Sequence, residues 1–161
     1  MDSKKLDALP SGKSDNILPN IIFRNEFLKS STFLVVLVFG IGIANFLGNI
    51  FEWNWKLEFY DSALHFLGGI WIAALFFYII CTRVEFEVEK IPIFLLGLLS
   101  IGVVAIVAIG WEWFEFLFDA IFNISTTLNL MQPGLPDTMY DLFFGIFGGT
   151  LYSFLVLKSR N

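Results

Sequence analysis

Four long apolar stretches dominate this chain, and they limit its fold more than any other feature. Each is about 20 residues long, the length that a helix rising about 1.5 Å per residue needs to cross the bilayer hydrocarbon. The predicted spans lie at about 32–51, 61–81, 91–116 and 138–157. The chain is also 57% apolar, whereas soluble domains are usually about 45–50% apolar. The sequence therefore predicts an all-α, polytopic membrane protein built as a four-helix transmembrane bundle.

The sequence outside these spans is short and mostly polar. Residues 1–20 are predicted to form a disordered cytoplasmic tail, ahead of a single four-helix transmembrane domain over 21–161. Residues 17–27 mix apolar and charged side chains, which is typical of a short interfacial helix. No cleavable signal peptide is expected, because the first apolar run follows a long polar segment without a small-residue cleavage site. Cys81 is the only cysteine, so an internal disulfide is excluded.

Lysine and arginine are distributed unequally between the two sides of the predicted bundle. One side would carry Lys4, Lys5, Lys13, Arg24, Lys29, Arg83, Lys90, Lys158 and Arg160. The other side would carry only Lys56. Because positively charged loops stay in the cytoplasm, we expect an N-in/C-in topology in the cytoplasmic (inner) membrane. The loops at about 52–60 and 117–137 then face outward.

Acidic residues and the single histidine gather at one end of these spans. The candidate site residues are Asp61, His65, Glu112, Glu115, Asp137 and Asp141. The first span ends at the same level with Asn45, Asn49 and Glu52, of which Glu52 is expected to be a solvated interface residue. The topology rests on lysine and arginine alone, so the convergence of the acids in the outer leaflet is an independent result.

On each span the polar residues share a helical face with small residues, since positions three or four apart lie on one side of a helix. The predicted stripes are Gly42-Asn45-Asn49-Glu52, Asp61-His65-Gly69-Ala73, Gly102-Ala105-Ala108-Glu112-Glu115 and Asp137-Asp141-Gly145-Gly149. Small residues let membrane helices approach closely, and Gly145 and Gly149 have the close-contact spacing. The packing faces should therefore carry the carboxylates into the bundle.

Five carboxylates and one imidazole in a membrane pocket are costly unless some are protonated or a cation neutralises them. Each of the three later spans presents two such ligands on one face, as metal sites in helix bundles do. Oxygen-rich ligation suits Mg²⁺, Mn²⁺, Fe²⁺ or Ca²⁺, and the imidazole adds Zn²⁺.

Other interpretations of these six residues stay open. Asp61 and Asp137 could be helix N-caps. Glu112 and Glu115 could be solvated at a helix end, and His65 could be a hydrogen-bonded packing residue.

Three segments resemble the YjdF-type family of bacterial inner-membrane proteins, and together they cover roughly residues 59–150. They are Tyr60-Asp61-Ser62-Ala63-Leu64-His65-Phe66 with Gly69, Trp111-Glu112-Trp113-Phe114-Glu115-Phe116, and Pro136-Asp137-Thr138-Met139-Tyr140-Asp141-Leu142. The D-x-x-x-H-F element is also similar to one in VanZ-like proteins, a more distant likeness. The resemblance implies the membrane architecture and the motif positions rather than an activity.

Three functional hypotheses follow. The first is a carboxylate-rich cation or metal site in the outer leaflet, in its enzyme form a metal-dependent enzyme acting on a lipid or envelope substrate with His65 as candidate base. The second is a non-catalytic interaction or structural protein whose acids form a hydrogen-bond network. A proton-coupled transporter ranks third, because the inner halves of the stripes offer no polar path. The net charge of −5 excludes nucleic-acid binding. The expected partner is the lipid bilayer, and an oligomer is compatible with the sequence.

Overall fold

The described part of the protein is helical. The computed structural model describes residues 30–83, 88–122, 131 and 134–159, which contain no strand. The helices are α1 (Ser31–Ile50), α2 (Trp53–Lys56), α3 (Tyr60–Arg83), α4 (Ile93–Phe122) and α5 (Leu135–Lys158), with a 3-10 turn at Val88–Lys90. Four of them, α1, α3, α4 and α5, are long and apolar enough to cross a membrane. The predicted all-α fold with four spanning helices is confirmed.

The third spanning helix extends beyond its predicted end. α4 continues to Phe122 rather than stopping near residue 116. Residues 117–122 contain neither glycine nor proline, and the bilayer thickness that limits a span does not terminate a helix. Glu115 therefore lies about two turns before the end of α4, and not at the end itself.

The fourth spanning helix begins at Leu135, slightly earlier than the predicted residue 138. Its N-cap is Gly134, whose φ of 154° favours glycine because a side chain there would be strained. Pro136 follows in the first turn, where the backbone N–H that proline lacks has no partner within the helix. The chain therefore enters α5 through a turn that only these residue types form easily.

The helices α3 and α5 approach each other most closely at glycines. A Cβ atom on Gly69 of α3 would overlap the carbonyl oxygen of Gly145 of α5. A Cβ atom on Gly148 would overlap the carbonyl oxygen of Phe66 in the same way. Both helices begin at the same end of the bundle and run parallel, because the contact of Ser62 with Asp141 is followed further along both chains by the contact of Phe66 with Gly148. The predicted packing role of Gly69 and Gly145 is confirmed, and Gly148 joins them.

The contact between α4 and α5 uses the predicted Gly149, and on the α4 side it differs from the prediction in part. A Cβ atom on Gly149 would lie 2.7 Å from a methyl group of Val104. The Ser100 and Ser153 hydroxyl oxygens lie 2.9 Å apart, and Ser153 donates to the Gly149 carbonyl at 2.7 Å. The prediction of Gly102 at this interface is wrong, because its Cβ position has no neighbour within 4 Å. Only α5 needs a small residue here, since the branched Val104 fills the space that Gly149 leaves.

The first spanning helix packs at the side of the bundle. The Tyr60 hydroxyl donates to the Ala44 carbonyl at 2.8 Å, and the Trp71 indole donates to the Leu34 carbonyl at 3.0 Å. These bonds tie α1 to α3, whereas α1 has little contact with α4. The predicted close contact of α1 with another helix is absent at Gly42, which has no neighbour within 4 Å of its Cβ position. The bulky partners Tyr60 and Trp71 contact a different stripe of α1.

A short connection joins α1 to α3 at the end where α3 begins. The Lys56 ammonium lies 2.9 Å from the Glu52 carboxylate, and both side chains are exposed. This hydrogen bond, with the charge of the ammonium group, holds the pKa of Glu52 below its usual range. The exposed, ion-paired position of Glu52 confirms that it is not part of the buried site.

Several predictions concern residues outside the described ranges. They are the tail at 1–20, the interfacial helix at 17–27 and most of the basic residues on the predicted cytoplasmic side. The domain limits and the N-in/C-in topology stay predictions for this reason.

Candidate functional site

The predicted site residues meet at one end of the bundle, which is called the acidic end below. α3 and α5 begin there, and the last turns of α4 lie beside them. The acidic cluster consists of Asp61, His65, Glu112, Glu115, Asp137 and Asp141. Parallel packing of α3 with α5 explains the convergence, because the first turns of both helices carry two of these residues each.

His65 lies at the centre of the acidic cluster. Its Nδ1 atom is 3.6 Å from Glu112 Oε1. Its Nε2 atom is 4.0 Å from Asp61 Oδ1 and 4.0 Å from Asp141 Oδ2. The imidazole is only 9% exposed. The ring therefore stands between two sets of carboxylates, with one nitrogen facing each set.

Asp141 is the most deeply buried acid, with 1% of its surface exposed. Its Oδ1 atom accepts a hydrogen bond from the Ser62 hydroxyl at 2.8 Å, which joins α5 to α3. Its Oδ2 atom is buried and has no hydrogen-bond donor among the described residues. A buried carboxylate oxygen without a donor is costly, so this atom marks a position where a further positive or donating group would be stabilising.

Glu112 and Glu115 form the second part of the cluster. One ligand atom from each of His65, Glu112 and Glu115 lies within 4.8 Å of the other two. Glu115 Oε1 also accepts a hydrogen bond from the Trp111 indole at 2.8 Å. Both glutamates are buried, at 3% and 6% exposure. The interpretation of Glu112 and Glu115 as solvated residues at a helix end is therefore wrong, because α4 continues past them.

Asp61 and Asp137 occupy the rim of the cluster. Asp61 joins His65 and Asp141 in a group whose ligand atoms lie within 4.8 Å of one another, but no such group among the described residues contains Asp137. Asp137 instead lines the adjoining cavity. The N-cap interpretation fails for both, because Asp61 lies inside the first turn of α3 and Gly134 is the N-cap of α5.

A cavity of about 870 Å³ adjoins the cluster, bounded mainly by α1, α3 and α4. Its polar wall includes Asn45, Asn49, Asp61, His65, Glu115 and Asp137. Its apolar wall includes Val38, Ile41, Trp71, Ile72, Val104 and Val107. The predicted stripe of α1 is thus partly confirmed, since Gly42, Asn45 and Asn49 face the cavity, and Asn49 also accepts a hydrogen bond from the Asn54 amide of α2 at 3.2 Å.

Two residues that touch the cluster, Ser62 and Trp111, are absent from the predicted set. Ser62 lies beside Asp61, but it is on the adjacent helical face, which contacts α5. A hydroxyl in the first turn of an apolar helix is the signal in the sequence that points to it. Trp111 has the position of an interface anchor and is half exposed, yet its indole also holds Glu115.

Comparison with known proteins places the chain in a family without a described activity. The sequence signature of a family described as predicted membrane protein (DUF2238) matches residues 17–161. An uncharacterized protein from Thermotoga maritima is 32% identical over 120 residues, which is 71% of this chain and 56% of that protein. The chain thus spans little more than half of that relative. No solved structure matches the chain. The match supports the YjdF-type resemblance, and the VanZ-like likeness gains no support. The chain belongs to the DUF2238 family of predicted membrane proteins.

Proposed function

We propose that this integral membrane protein binds a divalent metal ion at the acidic end through Asp61, His65 and Asp141. The observation that carries the proposal is Asp141 Oδ2, a buried carboxylate oxygen without a donor among the described residues. It points toward His65 Nε2 at 4.0 Å. A cation between these atoms would satisfy the carboxylate and offset the repulsion between the acids.

The distances from the imidazole to the two carboxylates fit a shared metal. Two ligands that are each about 2.1 Å from one ion can be no more than about 4.2 Å apart. The distances of 4.0 Å from His65 Nε2 to the Asp61 and Asp141 oxygens lie within this limit. Two carboxylates with one imidazole favour Mn²⁺, Fe²⁺ or Zn²⁺ over Mg²⁺ and Ca²⁺, which prefer oxygen ligands alone.

Glu112 has a different role in this arrangement. It faces Nδ1 of His65, at 3.6 Å, while the proposed metal would face Nε2. A histidine that binds a metal through one nitrogen commonly donates its other N–H to a carboxylate, which fixes the ring and its tautomer. We therefore assign Glu112 to positioning His65, outside the set of direct ligands.

In the enzyme form of the proposal, the metal would polarise an ester or phosphoryl oxygen or activate water. A metal on Nε2 would prevent His65 from acting as the base. The base would then be Glu115 or Asp137, which line the cavity beside the metal position. The substrate would be a lipid or envelope molecule, because the site lies within the spanning helices.

The proposed location is the inner membrane in an N-in/C-in orientation, which puts the acidic end in the outer leaflet. The support is the excess of lysine and arginine on the opposite side of the predicted spans.

Metal analysis of the purified full-length protein tests the metal site. After loading with Mn²⁺ or Zn²⁺ and removal of free ions, we expect about one ion per wild-type chain and little metal in Asp141→Asn. Asn keeps the shape of the side chain and the acceptor for Ser62. Glu52→Gln is the matched control, because Glu52 is an exposed carboxylate at the same end, and it should retain the wild-type amount. Equal, near-zero metal in wild type and Asp141→Asn would remove the proposal.

A structural role for the acids is the second candidate. The bond from Ser62 to Asp141 links α3 to α5, so a hydrogen-bond network alone could stabilise the bundle. This candidate predicts that Asp141→Ala, which removes the acceptor for Ser62, lowers stability and that a chelator has no effect on wild type. The metal proposal predicts that the chelator reproduces the effect of the substitution. A transporter ranks lower. Beyond the cluster, the buried polar side chains of the described residues are the paired Ser100 and Ser153 and the Tyr152 hydroxyl. These hydroxyls do not form a polar path across the membrane.

A further inference from the structure

Among the described residues, the cavity beside the acidic cluster opens sideways between α1 and α4. Val38 of α1 and Val107 of α4 both line it, and they are 40% and 41% exposed. Both residues lie near the middle of their helices, and α1 has little contact with α4. At this depth the surroundings of a spanning helix are lipid chains, so the opening faces hydrocarbon.

The two ends of the cavity differ in polarity. His65 and Asp61 lie at the acidic end, and Trp71 and Ile72 lie further along the same helix. Six residues of helix place Trp71 about 9 Å beyond His65, toward the middle of the membrane. The Trp71 indole N–H is occupied by the Leu34 carbonyl at 3.0 Å, so the ring contributes apolar surface. The cavity is therefore shaped for an amphiphile with a polar head at the cluster and an apolar chain toward the bilayer.

The charge of the cavity restricts the headgroup. Among the described residues that line it, none is a lysine or an arginine, whereas four are acidic: Glu58, Asp61, Glu115 and Asp137. Beside these described residues, a metal ion on Asp61, His65 and Asp141 would supply positive charge, and three protein ligands would leave it a coordination position for a phosphate oxygen. An anionic headgroup could then bind only when the metal is present, because the carboxylates alone would repel it.

We infer that the ligand of this site is a membrane lipid with a phosphate headgroup, its chain lying between α1 and α4 and its phosphate on the metal. The inference rests on the proposed metal site and names the class of its ligand. The cavity volume of about 870 Å³ lies in the range of about 300–1,000 Å³ that is usual for small-molecule sites.

Glycines in the spanning helices allow the cavity to be filled without disturbing the cluster. Gly68 lines the cavity, and its Cβ position has no neighbour within 4 Å, so Gly68→Leu adds a side chain to the cavity wall without a backbone clash. Gly102 of α4 also has no neighbour within 4 Å but does not line the cavity, so Gly102→Leu is the matched control. On α1, Gly42→Leu fills the cavity and Gly40→Leu is its matched control, because Gly42 lines the cavity and Gly40 does not.

The experiment is native mass spectrometry of the full-length protein released from detergent micelles that contain phosphatidic acid or diacylglycerol. Each preparation is divided into metal-loaded and chelated samples, and its metal content is measured separately. We expect metal-loaded wild type to retain phosphatidic acid, and chelated wild type and all samples with diacylglycerol to retain little. A side chain that overfills a binding site should weaken lipid binding roughly tenfold or more. Gly68→Leu should lose lipid by this factor while keeping its metal, and Gly102→Leu should match wild type.

The outcomes separate the two proposals. Metal in wild type with no metal-dependent retention of phosphatidic acid would overturn the lipid inference and leave the metal site standing. Wild type without metal would overturn both. Equal retention of phosphatidic acid by Gly68→Leu and Gly102→Leu would also overturn the inference. If wild type is a dimer without bound lipid, the lateral opening is the binding surface for a second copy of the chain. That result would also overturn the lipid inference.

Discussion

Gly69 of α3 and Gly145 of α5 lie in direct backbone contact, with the carbonyl oxygen of Gly145 in the position that a Cβ atom on Gly69 would occupy. This contact sets the separation of the two helices one turn below His65 and Asp141. Because the two helices run parallel, it also aligns the first turns that carry four of the six cluster residues. The glycine contact and the acidic cluster are therefore parts of one packing arrangement.

Gly69→Ala should destabilise the protein, because the added methyl group has to displace a backbone carbonyl. We expect a loss of about 1–3 kcal/mol in the free energy of unfolding, as for overpacked interiors. Gly102→Ala is the control, since its Cβ position has no neighbour within 4 Å. It should be neutral or stabilising by up to about 1 kcal/mol through helix propensity. The free energies of unfolding of both variants can be measured by unfolding with sodium dodecyl sulfate in mixed micelles, monitored by circular dichroism. Equal losses of stability in Gly69→Ala and Gly102→Ala would contradict the close contact.

Ser62→Ala should weaken metal binding without removing it. The Ser62 hydroxyl donates to Asp141 Oδ1 and holds the carboxylate in place. Loss of such an outer hydrogen bond to a metal ligand typically costs about 10–100-fold in affinity. Ser100→Ala is the comparison, because it removes a buried serine hydrogen bond between helices away from the cluster. Titration of both variants with Mn²⁺ should separate them, and an equal loss in affinity would indicate a general effect on packing.

Glu112→Gln should separate a positioning residue from a direct ligand. If Glu112 only orients His65, the variant should still bind metal with about 10–100-fold weaker affinity. Asp141→Asn should lose binding almost completely, because it removes a ligand. Isothermal titration calorimetry with Zn²⁺ on both variants gives the comparison. Complete loss in Glu112→Gln together with retained binding in Asp141→Asn would reverse the two roles.

The orientation in the membrane can be tested with single cysteines in a Cys81→Ser background. Lys56→Cys lies in the connection before α3, and Lys158→Cys lies at the last turn of α5. We expect a membrane-impermeant maleimide to label the first in intact spheroplasts and the second only after permeabilisation, because the N-in/C-in topology places them on opposite sides. The reverse pattern would move the acidic end to the cytoplasmic side.

Hydropathy and helical spacing predict much of this architecture. Membrane spans are recognisable because runs of about 20 consecutive apolar residues are typical of helices that cross a bilayer and rare in soluble domains. The convergence of Asp61, His65 and Asp141 is predictable as well, since a four-residue spacing places Asp61 with His65 and Asp137 with Asp141 on single helical faces. Parallel packing of α3 and α5 then follows from a chain that crosses the membrane at each span.

Other features depend on three-dimensional packing that a single sequence does not specify. The spacing predicts the packing face of α4 at Gly102, but the structure uses Ser100 and Val104, because the necessary small residue lies on α5 at Gly149. The lateral position of α1 depends on the contacts of Tyr60 and Trp71 with its carbonyls, which no periodicity reveals. The cavity is a consequence of that position.

The most direct test of the metal site is a crystal structure of the Mn²⁺-soaked protein with anomalous scattering data. We expect one anomalous peak on the Nε2 side of His65, about 2.2 Å from that nitrogen and from oxygen atoms of Asp61 and Asp141. An ordered acidic cluster without an anomalous peak would contradict the metal site. A peak on the Nδ1 side, bound by Glu112 and Glu115, would contradict the assignment of ligands.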